Sequence, residues 1–255
     1  MNLKVDNITF SYNGRRNIFS DISFEYNTPE IMCILGTNGT GKSTLLQCLT
    51  GENPVSTGSI LVDGKPVREY SARDLARKIA YLPQSHVPSF AFKVIEVVMM
   101  GRTARMGRFS SPGREDRETA MEKLRFLNID FLAEKSYTQI SGGERQMVMI
   151  AASLAQEPDL IILDEPVSHL DFGNQYRFVN LMKQLQQTGT GVMMTTHFPD
   201  HVLQLGCRTL VLSKGGILAD GNASDVITSE SMSSLYGINA DVTEVHGRTM
   251  CVPYE

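Results

Sequence analysis

Residues 36–44 read Gly36-Thr37-Asn38-Gly39-Thr40-Gly41-Lys42-Ser43-Thr44, and their types and spacing are those of a phosphate cradle. In the pattern G-x-x-x-x-G-K-[ST], glycines without a Cβ let successive backbone N–H groups close on phosphate oxygens. Lys42 is placed to reach the β- and γ-phosphates, and the Ser43 hydroxyl to ligate Mg²⁺. Such a loop needs elements that hold it. Ile31-Met32-Cys33-Ile34-Leu35 is a continuous apolar run, which predicts a parallel strand buried on both faces. Residues 43–50 predict a helix ending at Gly51. Strand, loop and helix N-terminus converge unpaired N–H groups and the positive end of the helix dipole on one anion. The chain is expected to bind a nucleoside triphosphate.

A second acidic element fits the same site. Leu160-Ile161-Ile162-Leu163 predicts a buried strand that delivers Asp164 and Glu165 at its C-terminal edge, ahead of Pro166. Ligands of open α/β sheets bind at that edge. Asp164 is expected to hold Mg²⁺ through water. Glu165, in different surroundings, is expected to polarise the water that attacks the γ-phosphate.

The stretch Ile140-Ser141-Gly142-Gly143-Glu144-Arg145-Gln146 resembles the ATP-binding cassette (ABC) ATPases, whose signature begins Leu-Ser-Gly-Gly-Gln. Ile140 replaces the Leu and Glu144 the Gln; the Ser-Gly-Gly centre is intact. A serine and two glycines opening a helix make another anion-binding N-terminus. One ATP does not need two complete cradles from one subunit, so Ser141, Gly142, Gly143 and Glu144 are expected to serve the nucleotide of a second copy. Two such heterologous contacts about a two-fold axis close on themselves, giving a head-to-tail homodimer around two ATPs.

The resemblance covers nearly the whole chain and implies further roles. Tyr12 matches the aromatic that stacks on adenine. Gln84, in Leu82-Pro83-Gln84, matches the glutamine that senses Mg²⁺ and the attacking water. Ser168-His169-Leu170-Asp171 matches the loop at the dimer interface, with His169 where alanine is usual. His197 matches the histidine that contacts the γ-phosphate, followed here by Phe198 rather than an acid. Residues 81–84 and 94–102 resemble the ATPases of iron-chelate, haem and cobalamin importers, the type II class; some molybdate and tungstate importers share the pattern. The implied assembly is two copies of this chain, two multi-helix membrane permeases and an extracytoplasmic binding protein, with the chain on the cytoplasmic face of the membrane.

The predicted fold class is α/β: a parallel-sheet phosphate-loop core, an N-terminal antiparallel β subdomain and an inserted helical subdomain. The alternating apolar residues of 3–12 and 18–26 predict antiparallel strands laid beside the phosphate-loop strand. A short hairpin is expected at 58–64, a helical pattern at 71–78 and a strand at 79–82. Helical periods at 94–100, 114–127 and 144–156 define an insertion of about 86–156 within a core of about 1–85 and 157–223. Strands at 160–163, 191–195 and 209–212, the first two separated by a helix over 175–187, predict a doubly wound parallel layer. An extension of about 224–255 combines a helix at 229–236 with two strand-like runs.

The bulk numbers narrow the function classes. The chain has 255 residues and a net charge of −4, which offers no basic face for nucleic acid. That weighs against a ribosome-associated cassette, and the interval from Lys42 to Ser141 is too short for the coiled-coil arm of a DNA-maintenance ATPase. No apolar run is long enough to span a bilayer, so any membrane role is expected through a partner. Four scattered cysteines read as core filler, and His197 with His201 lacks a third zinc ligand. Arginines 102, 105, 108, 114 and 117 cluster early in the insertion, where a solvated face or a docking surface for a permease is expected.

Overall fold

The computed structural model describes residues 1–84, 91–107, 110–168 and 170–255. In chain order it contains β1 (Asn2–Phe10), β2 (Phe19–Asn27), β3 (Ile31–Leu35), α1 (Lys42–Leu49), β4 (Thr57–Val62), β5 (Lys65–Pro66), α2 (Ala72–Ala76) and β6 (Ile79–Leu82). Then come α3 (Val94–Met100), α4 (Arg114–Phe126), α5 (Gly142–Ala155), β7 (Leu160–Leu163), α6 (Phe172–Gln187), β8 (Gly191–Thr196), α7 (Pro199–Leu205) and β9 (Arg208–Ser213). The chain closes with β10 (Gly216–Asn222), α8 (Ala223–Val226), α9 (Ser229–Tyr236), β11 (Asn239–Val245) and β12 (Arg248–Tyr254).

The main sheet has the order β10-β9-β3-β8-β7-β6. Its strands from β9 to β6 are parallel, and β10 folds back antiparallel on the edge. All five residues of β3 are buried, and they alternate between two cores. Met32 and Ile34 face α1 and the N-terminal strands, while Ile31, Cys33 and Leu35 face the helical side. That explains why the run is apolar throughout rather than alternating. The parallel strands end at one edge, so the loops after β3, β6, β7 and β8 meet there.

The N-terminal strands depart from expectation. They are antiparallel, yet they do not lie beside β3; β2, β1, β4 and β5 form a separate sheet stacked over the first core. Their half-buried alternation requires one covered face and one wet face, which a place inside the doubly covered main sheet could not provide. The expected hairpin at 58–64 is β4 joined to the two-residue β5 through Asp63-Gly64.

The arginine cluster also needs correction. Arg102 is 7% exposed and bonded within the chain: its guanidinium meets Asp116 at 3.2 Å, Glu157 at 2.7 Å and the Ala155 carbonyl at 2.8 Å. Arg105 donates to the Gln156 carbonyl and pairs with Glu157 at 3.3 Å. Both side chains fasten the end of α3 to the end of α5. Arg102 is buried and belongs to neither a solvated face nor a docking surface, while Arg105 keeps an exposed side. Arg117 pairs with Glu134, Arg114 lies exposed beside Glu118, and Arg108 falls outside the described residues. Charge reversal at Arg102 would oppose two carboxylates and orphan a carbonyl. Arg102→Glu is expected to lower folding stability by several kcal/mol, on the order of 3–5, read as a lower midpoint in urea denaturation. A midpoint equal to wild type would show that the guanidinium is not an internal tie.

Candidate functional site

The loop between β3 and α1 is shaped by contacts that exclude side chains. A Cβ on Gly36 would sit 2.7 Å from the Leu212 carbonyl oxygen and 2.9 Å from Thr40 Oγ1. Gly41 caps α1 at φ 96°, in the left-handed region, where a Cβ would also press on Ile18. Thr37, Asn38, Gly39 and Thr40 complete the turn, with the Thr40 hydroxyl donating to the Thr37 carbonyl at 2.9 Å. Lys42 is buried; its ammonium donates to the carbonyls of Gly36 (2.8 Å) and Thr37 (3.1 Å) and lies 3.4 Å from Glu165 Oε1. Ser43 follows it in the first turn of the helix. Thr44 Oγ1 is 3.1 Å from the Tyr12 hydroxyl, and the Tyr12 ring is 63% exposed beside this loop.

The acids come in at the end of β7. The Asp164 N–H donates to the Leu82 carbonyl, joining the ends of β7 and β6 and carrying Gln84 alongside. Asp164 is 3% exposed and accepts a 2.6 Å hydrogen bond from the Thr195 hydroxyl. Thr195 Oγ1 in turn accepts from the Glu165 N–H at 2.8 Å. Thus one fully buried threonine holds the first acid by its side chain and the second by its backbone. Glu165 stands at φ 45°, a left-handed conformation uncommon outside glycine. Its carboxylate is reached by Gln84 Nε2 at 3.0 Å and by His197 Nδ1 at 3.5 Å, besides Lys42. Lys42, Gln84, Glu165 and His197 therefore come together, although they lie far apart along the chain. Thr195 escaped the sequence reading; its signal was a pair of threonines closing an otherwise apolar strand.

Ser141, Gly142, Gly143 and Glu144 open α5 elsewhere. The Ser141 hydroxyl accepts from the Glu144 N–H at 3.2 Å, and the Glu144 carboxylate accepts from the Ser141 N–H at 2.8 Å. This reciprocal cap, led by the backbone bond, holds the Glu144 carboxyl below its ordinary range. Ser141, Gly143 and Glu144 line a groove of about 840 Å³ with Leu170, Asp171 and Asn174, and its lining includes none of residues 36–44. Within one chain the two helix N-termini are separate. The loop position His169 lies outside the described residues.

The donor set suits a Mg²⁺-nucleotide. The glycine-lined cradle, a buried ammonium bonded to carbonyl oxygens, and a buried carboxylate with acceptor capacity beyond one hydroxyl are what phosphates and a hard cation require.

A family model described as "ABC transporter" matches residues 19–168, more than half of the chain. The chain belongs to the ABC transporter family. Among its relatives is the molybdate import ATP-binding protein MolC of Haemophilus influenzae, 35% identical over 92% of this chain and 87% of that protein. The hemin import ATP-binding protein HmuV of Rhodococcus jostii is 33% identical over 98% of this chain and 86% of its own length. A metal-chelate type ABC transporter solved in an inward-facing conformation matches with a TM-score of 0.87 and 34% identity, over 99% of this chain and 97% of the other. Members of the family bind ATP with Mg²⁺ and hydrolyse it, which gives this ABC chain its cofactors and reaction. No helix among the described residues is long and apolar enough to cross a membrane.

Proposed function

We propose that this chain is the ATP-hydrolysing subunit of an importer that takes up a metal chelate such as an iron-siderophore, haem or cobalamin. Lys42 and the N–H groups of residues 36–44 bind the phosphates, and the exposed Tyr12 ring stacks on adenine. Ser43, Asp164 and Gln84 hold Mg²⁺, which when bound offsets phosphate charge and orients the γ-phosphoryl group. Glu165 takes a proton from the attacking water, and His197 donates to the γ-phosphate. The convergence of Lys42, Gln84 and His197 on the Glu165 carboxylate is the observation that carries the hydrolytic part of this reading. The acid is already held among the groups that would surround a reacting phosphate. The likeness to the hemin import subunit and the metal-chelate type transporter supports the importer part.

Ser141, Gly142, Gly143 and Glu144 are read as completing the site of a second copy, because a preformed helix N-terminus stands apart from its own phosphate loop. Helices α3, α4 and α5 form the helical insertion, about 86–156, that would carry nucleotide state from Gln84 to two permease subunits. The ATPase dimer then sits on the cytoplasmic face of the membrane, and an extracytoplasmic binding protein supplies the substrate. Nucleic acid has no place in this assembly. The molybdate relative supports a second reading, uptake of molybdate or tungstate.

The test is transport by cells expressing the whole system with the cognate permease, offered labelled haem, iron-siderophore, cobalamin or molybdate. Uptake of a chelate that stops when this chain is deleted supports the first reading, and uptake of molybdate alone supports the second. Export, or failure of the chain to co-purify with any permease while hydrolysing ATP, would overturn both.

A further inference from the structure

The segment after β10 touches the catalytic histidine's own backbone. The Tyr236 hydroxyl donates to the His197 carbonyl at 2.7 Å. Tyr236 is the last residue of α9, whose start is fixed by the Thr228 hydroxyl accepting from the Ser231 N–H and whose end is turned at Gly237 with φ 67°. Buried Met232 and Leu235 seat this helix in the helical-side core. The Ser233 hydroxyl binds both the N–H and the carbonyl of Ala240, so helix and hairpin are joined. Hairpin β11–β12 reaches the neighbouring helices as well. The Cys251 N–H donates to Asp200 at 2.8 Å on α7, and Arg248 meets the Tyr176 hydroxyl of α6 at 3.2 Å while lying over its ring.

We propose that Tyr236 is a positioning residue for His197, and that α9 with hairpin β11–β12 is the brace that delivers it. His197 sits in the short link between β8 and α7, where the backbone leaves strand geometry and has not yet entered the helix. Displacement of that link would carry the imidazole with it, whose Nδ1 is 3.5 Å from Glu165. A hydrogen bond to the His197 carbonyl from a separate, anchored element holds the link in place. Burial raises the Tyr236 phenol well above its ordinary pKa, with Cys251 and Asp200 adding to it, so the hydroxyl keeps its donor proton even in alkaline solution. The last strands add nothing to the main sheet; they form a hairpin of their own that is tied to α7 instead.

The inference rests on the role of His197 given above, and a double-mutant cycle on the full chain keeps the two apart. Tyr236→Phe is expected to lower kcat for ATP about three- to tenfold, the range that one lost hydrogen bond converts to. KM for ATP should stay near wild type, and the melting midpoint should fall by no more than about 2–4 °C, what the loss of one hydrogen bond costs a chain of this size. In a His197→Ala background the same Tyr236→Phe change should have little further effect, because residues acting through one group are not additive. A full additional loss in the double variant, or wild-type kcat in Tyr236→Phe, overturns the brace. Wild-type turnover in His197→Ala overturns the histidine's role itself, and the brace with it.

Discussion

Glu165→Gln is expected to bind ATP as the wild type does while turnover falls by roughly 10²–10⁴, the contribution of a positioned general base. The amide has nearly the same shape, keeps one acceptor oxygen and leaves Asp164 with Thr195 untouched. It cannot take the proton. The change also removes the formal negative charge that lies 3.4 Å from Lys42 Nζ, so the ammonium becomes more available to phosphate. Binding should therefore be equal or tighter, and a stalled dimer holding ATP should elute early in gel filtration. Nucleotide retention is measured on the isolated dimer, and hydrolysis as phosphate release. Phosphate release at the wild-type rate would remove Glu165 from the chemical step.

The second large effect concerns the shared site. Lys42→Ala and Ser141→Arg should each lose activity by about a hundredfold or more, the first by removing the phosphate charge partner and the second by filling a helix N-terminus. Mixed in equal amounts they should recover to about a quarter of the wild-type rate if the two sites fire independently. Half of randomly formed dimers are mixed, and each holds one intact composite site while the other carries both lesions. A mixture no faster than its components, together with hydrolysis strictly first order in protein, would place Ser141 in the service of its own chain.

Local signals in the sequence specified most of the backbone geometry at the candidate phosphate site. The loop 36–44, the buried strands before it and before Asp164, and the serine–glycine opening of α5 each carry their geometry in a few consecutive residues. Long-range effects were less legible. Strand β10 lacks a clean apolar alternation because it is an edge strand with only partial cover, so Gly216–Asn222 passes for loop. The alternation of β1 and β2 excludes a place inside the doubly covered main sheet, but it does not say which distant strand, here β4, pairs with β1. Arg102 looks like any surface arginine until Glu157 and the Ala155 carbonyl, more than fifty residues later, come beside it. Thr195 and Tyr236 act through single hydroxyl groups on partners distant in the chain, and no spacing rule announces them.

The left-handed backbone at Glu165 bears on how this protein would respond to selection in the laboratory. A glycine or asparagine tolerates that conformation better than a glutamate, by about 1 kcal/mol for glycine. A search for heat resistance alone would weigh that relief against the lost contacts to Lys42 and Gln84, at the side chain proposed above as the general base. Under the proposed role, a screen that demands turnover as well as durability would keep the carboxylate in place despite its backbone.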